Sequence, residues 1–413
     1  KEAERKSRVA EPIAIIGIGS IFPGAHTLEQ FWDLIRSGRS AITEATSQRI
    51  NKKLSWRETP TEPWHTCTVQ GGFLTEWQYD WRKNKIPPKQ IANANPLQFM
   101  LLDAADQALT NAGYDKRPFD RKRVGVIVGT IFGGDFAAQL QMGLRLPEFN
   151  KLMRPILQQQ GVADEQVDTV LNQYRDLLLK RMPALLDETG SFTSSTLASR
   201  ITKTFDLMGG ALALDAGVGS GLAAISGGID ALRSGSVDMM ICCGGQRNMD
   251  LMAFAGATDG DLLTKDAPQP AFSNSIAGVV PGEGVGVVLL KRLSDAQRDN
   301  DPIVAVIRGV GVCSNPKNPV DATPLAIERA LKSAQARPED VTVLETCGGW
   351  DYAEDEELRG IAQAYDSPVG EPLRVGSVVS QIGHCGAASG MASLVKGALE
   401  LNKQFLPASL AQE

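Results

Sequence analysis

Two stretches of this chain, Pro12–Ser20 (P-I-A-I-I-G-I-G-S) and Pro302–Val312 (P-I-V-A-V-I-R-G-V-G-V), share one pattern: a β-branched run that ends in glycines spaced two apart. A continuous apolar run suits a strand buried on both faces, whereas a half-exposed strand alternates. Each run is followed by a helical stretch and a second buried strand, Val124–Gly129 in the first copy and Val341–Glu345 in the second. A unit repeated in this way restricts the fold more than composition does. It predicts a duplicated α/β protein whose sheets are covered by helices on both faces. The halves are placed at residues 11–255 and 256–413, after a charged linker at 1–10.

Within the first half, Pro96–Gly113 has helical periodicity and a glycine stop. Residues about 145–190 read as a helical insertion on the α/β body, with a Leu and Met stripe suited to packing. Gly278–Leu290 resembles a phosphate loop only superficially, because it lacks the lysine and the spacing of one, and is read as a turn feeding a strand.

Charge and cysteine usage exclude several functions. The net charge is −6, and no Lys or Arg run suggests nucleic acid or an anionic membrane as the main partner. No apolar stretch reaches the roughly 18 uncharged residues of a membrane span. The N-terminal residues do not read as a signal peptide. The six cysteines (Cys67, Cys242, Cys243, Cys313, Cys347 and Cys385) follow neither a disulfide nor a zinc spacing. Reduced thiols in a cytoplasmic protein without a metal are expected.

Leu212–Leu222 (L-A-L-D-A-G-V-G-S-G-L) reads as a strand, a tight glycine turn and the start of a helix. That geometry exposes the corner side chain and points a helix N-terminus at it, the usual mount for a catalytic Cys or Ser. Here the corner residue is Val218. Ser220 lies two residues on, but Val218 stands where the serine-hydrolase elbow needs glycine. Two further turns follow predicted strands. One carries Cys347 (L-E-T-C-G-G-W-D), and the other carries His384 (V-G-S-V-V-S-Q-I-G-H-C-G-A-A-S-G). Taken alone, each suits a buried structural residue, but strand ends of an α/β sheet are where sites form. The other histidines, His26 and His65, sit in polar loop contexts.

Several motifs together resemble a β-ketoacyl synthase domain of the thiolase-like fold over nearly the whole chain. They are Glu11–Gly24, Phe31–Gly38 (F-W-D-L-I-R-S-G), the helix from Pro96, Leu197–Gly210, Pro281–Leu293 and the segment around I-G-H-C-G-A-A-S-G. The resemblance implies a five-layered α-β-α-β-α architecture. It also implies a site in which an elbow Cys takes an acyl chain as a thioester and two histidines assist decarboxylation of a malonyl unit. On this sequence the elbow position falls on Val218 and the first histidine on Cys347. The second histidine is kept as His384, while the lysine before it becomes Val379 and an asparagine becomes Gln381. The family continues past Leu406–Leu410 into a final strand and a gating loop, so the second half is expected to be shortened at its end.

Valine forms no thioester, and a thiol does not replace an imidazole donor. Loss of one member of such a constellation costs orders of magnitude in rate. The expected function is therefore a non-condensing, chain length factor-type domain. Such a domain pairs with an active ketosynthase, or with a second copy, through a thiolase-type interface and shapes the acyl tunnel. The implied partner is an acyl carrier protein bearing phosphopantetheine, with no intrinsic cofactor. The alternatives are a malonyl-carrier-protein decarboxylase and a non-elongating acyl carrier docking domain.

Overall fold

β-Branched runs without polar interruption form strands that neighbours must cover on both faces. In the computed structural model, which describes residues 11–60, 62–92, 94–181, 193–265, 278–314, 319–348, 354–365 and 373–409, the first such run is β1 (Ile13–Ile21), and all its residues are buried. It joins β2 (Val124–Gly129), β3 (Ala211–Leu214), β4 (Met239–Gln246), β5 (Gly284–Arg292) and β6 (Ala305–Ile307) in a six-stranded sheet of order β3-β2-β4-β5-β1-β6. β2 runs parallel to β3 and β4, while β5 is antiparallel to both β4 and β1. β6 lies antiparallel to β1. A second, parallel pair holds β7 (Val343–Thr346) and β8 (Arg374–Ser377).

The longer helices, numbered in chain order, are α1 (Leu28–Ser37), α2 (Pro96–Asn111), α3 (Gly134–Gln159), α4 (Asp164–Arg181), α5 (Ser220–Arg233), α6 (Leu251–Asp259), α7 (Pro319–Ala334), α8 (Glu354–Ala364) and α9 (Ser389–Lys403). α2 covers one face of the large sheet through Leu101, Ala104 and Ala108. α5 and α9 fill the other face together, in one core with Ile225, Ile229, Met391 and Val395. β7 and β8 lie beyond α9, and α7 packs against α8 outside them. The result is the layered α-β-α-β-α arrangement that the resemblance implies.

The duplication is visible in the packing. A Cβ on Gly17 or Gly19 would lie 2.2 Å from the Ala108 carbonyl oxygen or 1.9 Å from that of Ala104 on α2. In the second copy, a Cβ on Gly309 or Gly311 would lie 2.4 Å from the Ala330 oxygen or 1.9 Å from that of Ala326 on α7. Each pair of glycines spaced two apart thus lets a helix backbone approach at alanines spaced four apart. β6 repeats β1, and the parallel pair β7–β8 repeats β2–β3.

Three differences from the sequence reading are physical. The run Pro302–Val312 yields a strand of only three residues, because β6 finds a backbone partner only opposite Ile13–Ile15. The strand Gly284–Arg292 pairs inside the first sheet, beyond the half-boundary drawn at 255. The helical insertion begins at Gly134 and comprises α3 and α4, and its expected residues 182–190 lie outside those described, as does the linker 1–10.

Candidate functional site

The corner that holds Val218 is built by short side chains bonding their own backbone, which is what Asp and Ser do in turns. Asp215 accepts the Gly217 N–H at 2.9 Å through Oδ1 and the Phe132 N–H at 2.8 Å through Oδ2. Gly217 takes the left-handed conformation, with φ +60°. Ser220 is buried, and its Oγ accepts the Ala216 N–H at 2.8 Å while donating to the Gly217 carbonyl at 2.6 Å. The hydroxyl therefore braces the turn. Beneath the corner, β2 and α5 touch through backbone, since a Cβ on Gly129 would lie 2.1 Å from the Ser220 oxygen.

Val218 projects from this brace into a cavity of about 600 Å³. The walls include Ile131, Phe254, Leu262, Leu263 and Gly386, so the lining is mainly apolar. Small residues of α6, among them Ala253, Gly256 and Ala257, leave space on one side.

His384 is 1% exposed and follows the helical turn Val379–Ile382, so it does not sit directly on a strand end as expected. Its N–H donates to the Val280 carbonyl at 2.8 Å, and its own carbonyl accepts the Gly282 N–H at 2.9 Å. The Gly386 N–H donates to Nδ1 at 3.3 Å, which leaves the ring proton on Nε2, 3.4 Å from the Gly348 carbonyl. Burial lowers the imidazole pKa to about 4, outweighing the backbone contacts that raise it. The ring is neutral at physiological pH.

Cys347 lies in the turn after β7, next to Gly348. Burial, and then the nearby Glu357 carboxylate, push its thiol up to about 12, so it is a thiol and not a thiolate. Glu357 of α8 also accepts the Gly348 N–H at 3.1 Å, and its own pKa is raised by burial. Of the residues singled out from sequence, the structure therefore joins His384 to the Cys347 turn through Gly348. It joins the His384 loop to the Val218 cavity through Gly386.

Val379 is half-buried and outside that cavity lining. Gln381 is buried and turned away from it, with Nε2 donating to the carbonyls of Leu34 at 3.1 Å and Arg39 at 3.2 Å. His26 and His65 are half-buried in loops.

Two supports escaped the sequence reading. Glu357 sits in an acidic helix start that looks like a solvated face. Glu283 is wholly buried, accepting the Leu74 N–H at 2.8 Å and pairing with Arg49 at 2.8 Å and Arg247 at 3.3 Å. Its only sequence signal is a lone acid inside the apolar run P-G-E-G-V-G-V-V. Among the described residues, no cluster of His, Cys, Asp and Glu is arranged to hold a metal ion, and no helix is long and apolar enough to cross a membrane.

Family models match almost the entire chain: "Beta-ketoacyl synthase, N-terminal domain" over residues 10–296 and "Beta-ketoacyl synthase, C-terminal domain" over residues 304–413. The chain belongs to the β-ketoacyl synthase family. Among its relatives, a polyunsaturated fatty acid synthase polypeptide of Thraustochytrium sp. is 27% identical over 99% of this chain and 15% of its own length. Polyketide synthase GfsB of Streptomyces halstedii is 31% identical over 97% of this chain and 7% of its own. The chain thus spans a small part of the curated relatives it matches.

Solved β-ketoacyl synthase structures agree with the fold. The oxazolomycin ketosynthase domain OzmH KS7 of Streptomyces albus superposes with a TM-score of 0.79 at 25% identity, covering 98% of this chain and 66% of that one. The PfaC keto synthase–chain length factor superposes with a TM-score of 0.80 at 24% identity, covering 97% and 42%. The layered fold, the apolar cavity shared by the Val218 corner and Gly386, and the contact of His384 with the Cys347 turn are thus set in a ketosynthase frame.

Proposed function

We propose that this chain is a non-condensing, chain length factor-type ketosynthase domain of a polyketide or fatty acid synthase system. In this reading it pairs with an active β-ketoacyl synthase and contributes a wall of the acyl tunnel. The observation that supports it most is Val218 at the braced corner. The turn, the helix N-terminus and the cavity are built, and the side chain they present has no lone pair for an acyl carbon.

The second support is Cys347, a high-pKa thiol at the position where the family carries a histidine. His384 is kept, and its Nε2–H faces the Gly348 carbonyl. The missing lysine at Val379 agrees with the same reading. The acyl chain would arrive on the phosphopantetheine of an acyl carrier protein, and the apolar cavity suits such a chain.

Pairing is favoured by β3. This terminal strand leaves one edge unpaired among the described residues, with Leu212 50% exposed and nearby Met208 57% exposed. An unpaired apolar edge readily adds a strand from another protein chain. A buried interface there needs no catalytic residue in this chain.

The deciding experiment co-expresses the chain with active ketosynthases of its own pathway and measures complex stoichiometry and product length. A stable 1:1 complex whose product length shifts when Gly256 is enlarged to leucine is the expected result. Release of carbon dioxide from malonyl-carrier protein by the chain alone, lost in His384→Ala, would instead establish the decarboxylase reading.

A further inference from the structure

The cavity beside Val218 is mainly apolar, yet the end of β4 delivers two carboxamides to its wall. Gln246 is the last residue of β4, Asn248 lies two residues beyond it, and both line the cavity. Side chains two apart on an extended chain share one side. Arg247, between them, pairs with the buried Glu283 instead. Gln246 is only 6% exposed and runs past Gly386, where a Cβ would lie 3.0 Å from its Cγ. Its Oε1 accepts the Ile131 N–H at 3.2 Å. Because that partner is a donor, the orientation of the amide is settled, and the remaining atom, Nε2, carries two N–H groups. Neither Gln246 Nε2 nor the exposed Asn248 amide makes a hydrogen bond among the described residues.

These two amides restrict what fills the cavity well. Elsewhere the wall offers hydrocarbon, from Ile131, Phe254, Leu262 and Leu263. A fully saturated chain satisfies those side chains but strips water from the amides and returns no hydrogen bond. A site with polar groups ready to bond a ligand oxygen penalises the analogue that lacks it, because those groups are then left unpaired. A chain with one oxygen among its carbons meets both demands.

We propose that Gln246 and Asn248 make the Val218 cavity selective for an acyl chain bearing a hydroxyl or ketone oxygen, over a saturated chain of the same length. The inference rests on the reading of this cavity as an acyl site. Gln246 Nε2 donates to the oxygen. The Asn248 amide both donates and accepts, so it serves a ketone through its N–H groups and a hydroxyl through either end.

Isothermal titration calorimetry of the chain with acyl-pantetheine thioesters tests this. One thioester is saturated, and the others are of equal length with a single ketone or hydroxyl at successive carbons. At least one oxygen-bearing chain should bind the wild type about tenfold tighter than the saturated chain. Asn248→Leu and Gln246→Met should each cut that preference to about threefold or less, while the saturated chain binds at least as well as before. If Gln246→Met fails to fold because the Ile131 N–H loses its acceptor, Asn248→Leu decides alone, since its side chain is exposed. Equal wild-type affinity for every chain, abolished by Gly256→Leu, overturns this proposal and leaves the acyl site standing. Variants that weaken all chains alike assign the amides to the pantetheine arm and overturn it too. Binding of no chain at all removes the acyl site itself, and the selectivity with it.

Discussion

The Nε2 atom of His384 lies 3.4 Å from the carbonyl oxygen of Gly348, so the imidazole faces the backbone of the turn that carries Cys347. With Nδ1 accepting the Gly386 N–H and the ring buried, protonation would place a charge where burial disfavours it. His384 should therefore titrate near 4, not near 6.5, in the folded protein. Unfolding frees the ring to bind a proton below about 6.5, so the stability it contributes is complete above that pH. It is lost as pH falls from about 6.5 to 4, by at most about 1.4 kcal/mol per pH unit. Imidazole NMR measures the pKa, and denaturation at pH 7 and 5 on wild type and His384→Gln measures the slope. A His384 resonance titrating near 6.5 would show that the ring is not enclosed as described.

Chemistry at the corner should respond to substitution in two stages. Cys347, with a thiol near 12, should resist iodoacetamide at pH 8. Val218→Cys should be alkylated faster than any native cysteine, since it opens to the cavity at a helix N-terminus. Condensation should remain absent in this single variant, roughly 10³-fold or more below an active ketosynthase, for want of the histidine. Acyl transfer to residue 218 is expected only when Cys347→His is added, read by mass spectrometry of the acylated peptide. Acylation of Val218→Cys alone would show that the Cys347 turn is not limiting.

Much of this was legible in the chain itself. The glycines at 17, 19, 309 and 311 announced the duplication, because a close strand–helix approach admits no Cβ. The corner at Val218 was legible because Asp215, Gly217 and Ser220 shape the turn through local bonds, whereas the Asp215 bond to the distant Phe132 N–H was not. Glu283 and Glu357 were not legible. Glu283 acts through Arg49 and Leu74, 234 and 209 residues away, and no spacing records such pairs. The half-boundary was misplaced for a related reason. β5 pairs antiparallel not only with the preceding β4 but also with β1 at the start of the fold, and periodicity gives strands but not their neighbours.

Glu283 should be among the most sensitive side chains in the protein. It is fully buried between the guanidiniums of Arg49 and Arg247, and it holds the Leu74 N–H. Its carbonyl also accepts from Cys385, beside His384. Glu283→Ala removes the anion from between the two cations and should cost about 3–5 kcal/mol of folding stability. Glu283→Gln keeps the shape and an acceptor for Leu74, and should cost less while still loosening the loop. Urea denaturation ranks the variants, and hydrogen exchange at 382–386 reads the loop. An alanine variant within about 0.5 kcal/mol of wild type would remove the buried pair from the account.

Two glycines at the site should separate scaffold from cavity. A Cβ on Gly129 would lie 2.1 Å from the Ser220 carbonyl oxygen and 2.3 Å from its carbon, both backbone atoms that cannot swing aside. Gly129→Ala must push β2 away from α5, so a loss of at least about 1–3 kcal/mol is expected from overpacking alone. Gly256, by contrast, is helical and lines the Val218 cavity, and a Cβ there meets nothing within 4 Å. Gly256→Ala should be neutral or stabilising by up to about 1 kcal/mol, because alanine is the better helix former. Gly256→Leu should likewise fold, while filling the space beside Val218. Melting temperatures distinguish the two sites, and binding of an acyl-chain probe to Gly256→Leu reports on the cavity. If Gly129→Ala melts like wild type while Gly256→Ala unfolds, the contact between β2 and α5 does not set the corner, and the cavity wall at α6 is packed rather than open.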